Sequence, residues 1–303
     1  MTLEAMTVGR EARIMIGTDT YCWGKFQNQT TREIIKNPDT ICGDLDQPVN
    51  RMRKGRKICR FIIELDPTPA ILVKLVPWLG LTNTSGTIYA MGATDSPLEK
   101  AVKIAVGAAQ HDYSNAIVLG YAFRGAKGGR PMSLQINCEA EDETETAIGS
   151  AFSDNPVTIN KIFAFTDIAT RQLDSSGTLT SRPIDRFLVQ VDNGTVSEWN
   201  SSTTRTSAKY GSRQGVFATS VPYNTTHKDL YWDYRDSEGA IEAKLKLTNS
   251  DGSIEFFVQA GVPITRGPSV LGKMDQIRTP VTLDLCRTDS AGTRVSPLII
   301  TLS

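Results

Sequence analysis

The chain has 303 residues, with 33 Lys and Arg against 33 Asp and Glu and only two histidines. That balance argues against a dedicated duplex-DNA or polyanion binder, which carries a basic excess. A hydrophobic content of 40% with 22% charged residues excludes a disordered chain.

No apolar stretch has bilayer-spanning length: the longest, Ala70 to Leu81, is broken by Lys74 and Pro77. Residues Met1 to Arg13 alternate acidic and basic side chains without the apolar centre of a signal peptide. A soluble protein made in the cytoplasm, with no membrane insertion, is the expectation. Cys22, Cys42, Cys59, Cys138 and Cys286 are odd in number and lack C-x-x-C spacing. They read as small buried hydrophobes of a reducing compartment.

The periodicity is that of strands, punctuated by 24 glycines and 14 prolines. The first clear strand is Cys59 to Leu65, closed by Asp66-Pro67. Thr68 then caps a short buried helix over Ala70 to Val76, stopped by Pro77 and Gly80. Strands follow at 101–106, 115–123 and 132–138, the last two flanking the glycine-rich turn Arg124 to Arg130. Further strands are expected at 184–191, 216–221, 240–247, 253–259, 280–285 and 298–302. Pro222 to Thr226 leads into a second short helix from His227 to Tyr234. Thr248 to Gly252 is a hairpin turn, since Asp251-Gly252 tolerates positive φ.

The two helices expose an internal repeat. In each half a glycine–basic lead enters a strand, then a proline turn, a short helix holding a tryptophan (Trp78, Trp232) and more strands. The chain therefore reads as mainly β, with two tandem β-sandwich or barrel modules at 1–145 and 146–303, each with one short helix.

Catalytic signals are poor. His111 lies in a polar connection and His227 opens the second short helix, no G-x-S-x-G elbow is present, and no Cys/His spacing suits a metal. Gly120 to Gly129 lacks the Lys-Ser/Thr ending of a phosphate loop. No enzyme activity, cofactor or metal is expected. The sharpest charge feature is Arg51, Arg53, Lys54, Arg56 and Lys57, followed by Arg60. A phosphate contact, a solvated loop, and a contact with an acidic patch such as Glu139 to Glu145 of another subunit are its three readings; overall charge balance favours the last. Alternation puts Glu139 and Glu141 on one strand face. The long polar stretches Asn28 to Arg53 and Gly194 to Ser212 read as loops that wrap a neighbouring subunit.

Taken in order, these parts resemble the major tail tube proteins of bacteriophages with long, non-contractile tails. Gly55 through Gly80, Tyr113 to Gly129 leading to Glu139–Glu143, Phe187 to Gly194, Arg213 to Tyr223, and Gly272 to Ile277 with the C-terminal strand carry the likeness. The resemblance implies a structural virion protein that assembles into stacked rings, a hollow conduit through which viral DNA passes into the host. It implies two tail-tube-like modules per chain and hence homotrimeric rings mimicking a sixfold ring, with a hexameric ring as the alternative. It implies partners in a tail terminator, baseplate or tip proteins and a tape-measure protein, and only transient, non-specific passage of DNA. On this reading Glu139 and Glu141 face the lumen, the Arg51 to Lys57 run contacts a neighbouring subunit or ring, and Asn28 to Arg53 stacks rings. A rival reading is a β-sandwich carbohydrate- or receptor-binding module of a virion, with Trp199, Tyr231 and Trp232 as an aromatic platform.

Overall fold

A computed structural model of the chain describes residues 13–22, 24–36, 52–92, 96–107, 109–128, 130–148, 152, 160–175, 177–236, 239–265, 277–286, 288–290 and 293–303. The protein is mainly β, built from antiparallel ladders. In chain order the first half holds β1 (Arg13–Ile16), β2 (Asp19–Cys22), β3 (Gly24–Asn28), β4 (Thr31–Lys36), β5 (Met52–Leu65), helix α1 (Pro69–Leu75), β6 (Thr82–Ser85), β7 (Ile88–Ala90), β8 (Lys100–Val106), β9 (Ala109–Ala126), β10 (Ser133–Ala140) and β11 (Asp142–Ala147). The second half holds β12 (Ile168–Ser175), β13 (Thr178–Ser181), β14 (Arg186–Asp192), β15 (Val196–Glu198), β16 (Ser207–Lys209), β17 (Gln214–Pro222), helix α2 (Asp229–Asp236), β18 (Ile241–Asn249), β19 (Gly252–Thr265), β20 (Arg278–Leu285), β21 (Thr288–Ser290), β22 (Thr293–Val295) and β23 (Leu298–Leu302).

The strand pairings of the two halves correspond. The hairpin β1–β2 lies beside β8, as β12–β13 lies beside β18. β8 pairs with the first part of β9, and β18 with the first part of β19. β11 takes the other edge of that part of β9, and β23 that of β19. The second parts of these two long strands leave for another sheet, where β9 joins β10, β5 and β3, and β19 joins β20, β17 and β14. Even the turns agree, with Gly17 (φ 64) between β1 and β2 and Gly177 (φ 81) between β12 and β13. Left-handed backbone is cheap only for glycine there.

The halves share ladders. β9 pairs with β14 in a run from Arg186 opposite Ala126 to Asp192 opposite Gly120. The result is one unbroken eight-stranded ladder, β3-β5-β10-β9-β14-β17-β20-β19, four strands from each half. β6–β7, which follows α1, reaches over to pair with β23. One contiguous core runs through both halves, from Phe61, Ile63 and Phe123 to Phe217, Phe256 and Leu283.

Helix α1 forms where the sequence predicts it. Its cap is Thr68, whose Oγ1 accepts from the Ile71 amide at 3.3 Å, and Pro69 opens the first turn. A 3₁₀ turn over Val76–Leu79 buries Trp78, whose Nε1 donates to the Ala116 carbonyl at 3.2 Å. Gly80 (φ 85) then ends the segment. The second helix also forms, two residues later than its predicted start at His227.

Candidate functional site

Along the eight-stranded ladder, alternate residues are buried and the others face outward, as the period of a strand requires. One row crosses all eight strands: Lys25, Glu64, Gln135, Ala122, Gln190, Val216, Asp284 and Val262 stand opposite one another in turn. The neighbouring row on that face runs Ser133, Arg124, Leu188, Ala218, Thr282 and Ile264. The opposite face carries Leu65, Leu134, Phe123, Val189, Phe217 and Leu283, all buried. The outward face is thus mixed: Gln, Ser, Thr and Ala side chains stand among the aliphatic Leu188, Val216, Val262 and Ile264, and its charges, Lys25 and Arg124 against Glu64 and Asp284, are of both signs. Lys25 Nζ meets Glu64 Oε1 at 3.1 Å within it.

The basic run is no loop. From Met52 onward it lies within β5, paired with β4 as far as Ile58. Two of its cations, Lys57 and the following Arg60, reach the acidic patch inside the same chain. β5 and β10 are ladder neighbours, and their register puts Arg60 opposite Glu139. Arg60 Nε lies 2.9 Å from Glu139 Oε2, and Lys57 Nζ lies 2.7 Å from Asp142 Oδ1. Arg56 Nε is 3.4 Å from Glu33 Oε2, and its guanidinium lies 5.4 Å from the centre of the Trp199 ring. Lys54 is exposed. Arg51 lies outside the described residues, and Arg53 is placed only by its backbone position on β5.

Glu139 and Glu141 part company. β10 ends at Ala140 and β11 begins at Asp142, so no strand carries both carboxylates on one face. Glu139 is 1% exposed, held by Arg60 and by the Ser197 hydroxyl, which donates to Oε1. In the single chain it therefore lines no open surface. Glu141 is partly exposed and accepts from Asn115 Nδ2 at 2.6 Å.

The stretch from Gly194 to Ser212 also differs from expectation, because it holds the hairpin β15–β16 and docks on its own chain. Arg205 is buried, with Nη1 3.4 Å from Glu99 Oε1 and Nη2 donating to the Asn115 carbonyl. The Lys57 amide donates to the Thr203 carbonyl at 2.7 Å. Buried Asn193 donates from Nδ2 to the carbonyls of Leu79 and Val118. These contacts join regions about a hundred residues apart, and no local motif announces them. In the other stretch, Asn28 to Arg53, β4 and the start of β5 form a hairpin, while residues 37–51 lie outside the described set.

A polar cluster went unnoticed in the sequence. The Glu143 carboxylate accepts from Asn28 Nδ2 at 2.7 Å and from the Tyr113 hydroxyl at 3.1 Å, with His111 Nδ1 at 2.9 Å. Burial opposes its charge, yet the contacts from His111, Tyr113 and Asn28 outweigh burial and hold its pKa below the ordinary value. An ionised carboxylate only accepts, so His111 carries its proton on Nδ1. Asp142 is likewise held low: burial works against it, and the Lys57 ammonium and the Glu143 amide prevail. Cys59, beside this cluster, is pushed up to about 11, chiefly by burial, which leaves it a packing group rather than a nucleophile. Cys138 is a buried free thiol as well. Among the described residues no group of three His, Cys, Asp or Glu side chains could hold a metal.

The aromatic platform does not assemble: among the described residues no ring contact joins Trp199 to Trp232. Trp232 is 44% exposed on α2, with Tyr231 5.2 Å away and Arg235 over its ring. No protein-family model matches the chain, and no curated protein is significantly similar to it.

Proposed function

We propose that this chain is a structural subunit that assembles into rings and stacked tubes, the conduit of a long, non-contractile bacteriophage tail. The eight-stranded ladder carries this reading, because it behaves as an arc of a larger wall. Four strands come from each of two matching units, one face is buried in the core, and the other faces outward with charges of both signs. Among the described residues, β3 pairs only with β5, and β19 past Gly261 pairs only with β20. Unpaired strand edges are templates for further strands, and a closed ring removes them. A wall whose cations, Lys25 and Arg124, are matched by Glu64 and Asp284 suits the passage of DNA, since an unbalanced array of cations would hold phosphates. The lining is formed by residues such as Gln135, Gln190 and Thr282 with Glu141 at one end, rather than by Glu139. Two units per chain favour three chains per ring.

Negative-stain electron microscopy of the purified protein at near-physiological salt tests this. Hollow tubes or stacked rings with threefold symmetry of whole chains are expected; sixfold symmetry of whole chains would favour the hexameric ring, and a protein monomeric at every concentration would end the reading. A carbohydrate- or receptor-binding module of the virion is the alternative, resting on exposed Trp232 with Tyr231 beside it. Binding on a glycan array, lost in Trp232→Ala, would favour that alternative.

A further inference from the structure

The two helices are secured in different ways. α1 is capped by the Thr68 hydroxyl, which does not titrate. The turn that leads into α2 is held from outside by Arg182, in the segment after β13. Arg182 is 7% exposed, and its Nη1 lies 3.4 Å from the Thr226 carbonyl and 3.1 Å from Nδ1 of His227. Its Nε has no hydrogen-bond partner among the described residues. Within the turn, the amides of Thr226, His227 and Lys228 all donate to Asn224. A guanidinium only donates, and it keeps its charge at any ordinary pH. The contact therefore requires a neutral imidazole that accepts at Nδ1 and carries its proton on Nε2. A second proton would place an N–H on Nδ1, aimed at a buried cation. It would also add positive charge just ahead of a helix N-terminus, where the dipole disfavours it.

The other charges nearby are accounted for. Asp185, three residues after Arg182, is held by Arg278 at 2.9 Å, and Glu255 of β19 is paired with Lys244 at 3.2 Å. Lys228 and Asp229 beside His227, and Arg171 of β12, are exposed. Asp174 of β12 and Asp233 of α2 act on Tyr234, as Arg182 does. Burial first, and then the Arg182 charge, hold the His227 pKa below its ordinary 6.5. α2 packs on β12 and β19, and its buried residues are Leu230 and Tyr234. We infer that Arg182 and His227 form an acid-sensitive latch: neutral His227 holds the leading turn and α2 against the fold, and protonated His227 releases them, uncovering Leu230 and Tyr234. The latch is fully closed above pH 6.5 and weakens as pH falls from there through the lower value of the folded state.

Hydrogen exchange of the unassembled chain, read by mass spectrometry and corrected for the intrinsic pH dependence of exchange, tests the latch. Between about pH 7.5 and about pH 5, protection over residues 224–236 should fall about tenfold or more while that of β9 is unchanged. His227→Gln, whose side-chain oxygen can accept from Arg182 and takes no proton, should keep its protection over the same range. The chain has only two histidines, so an NMR titration of the wild-type imidazoles needs no variant, and His227 should titrate below 6.5. Protection that does not change with pH in the wild type, a fall that β9 shares, or an equal fall in His227→Gln overturns the latch. So does a His227 imidazole that titrates at 6.5 or above.

Discussion

Glu143 shows how a carboxylate can be ionised in a half-buried place. Its donors come from β3 and β9 and the carboxylate itself from β11, so the site exists only when those three strands are in register. The low pKa has a definite consequence for acid stability. The stabilisation from Glu143 is complete above its ordinary value of 4.5 and is lost as pH falls through the lower value of the folded state. On this account the melting temperature should change little above 4.5, fall as pH drops from there toward the folded-state value, and level off below it. Glu143→Gln, which cannot titrate, should show a shallower fall over the same range in circular dichroism. Equal slopes would mean that the carboxylate is not held low. The Glu139 carboxylate has a different basis: one cation, Arg60, and one hydroxyl, Ser197, replace its water.

At the scale of elements, α1 and its 3₁₀ extension are fixed by cap, proline and stop. The stop does more than end a helix. At Gly80 a Cβ would stand 2.7 Å from the Tyr210 hydroxyl and 3.1 Å from Asn193 Nδ2, and the backbone there has φ 85. Gly80→Ala should therefore destabilise the protein by about 1–3 kcal/mol in urea titrations, through strain and through displacement of the Asn193 bridge to Leu79 and Val118. A loss of only a few tenths would mean that Tyr210 swings aside freely. The long strands β9 and β19 serve each half as the bend between its two sheets, each pairing with one set of strands early and another late. That double service explains why sequence periodicity found their centres but not their ends.

At the scale of the molecule, the halves are alike in construction yet joined in substance. The β9–β14 ladder, the β7–β23 pairing, the buried Arg205 and Asn193, and the single core all cross between them. Independent melting of two modules is therefore not expected. Differential scanning calorimetry of the unassembled chain should give one transition whose calorimetric and van't Hoff enthalpies agree. Two resolved transitions would show that these crossings contribute little.

Several features were determined by the sequence alone. The mainly β class, the helix capped by Thr68 and stopped at Gly80, the second helix near Trp232, and the doubled order of parts all rest on short-range rules of alternation, capping and turns. Those rules act over a few residues, so they are written locally. Tertiary structure alone decided what the charges do. Whether Arg60 and Lys57 meet Glu139 and Asp142 of the same chain or of a neighbour depends on β5 lying beside β10, about eighty residues away. The burial of Glu139, the docking of Gly194 to Ser212 on its own chain, and the gathering of donors around Glu143 follow from the same cause. Charge and hydrogen bonding act through space, and the separations that govern them are set by ladder order and register. No stretch of sequence carries that information by itself.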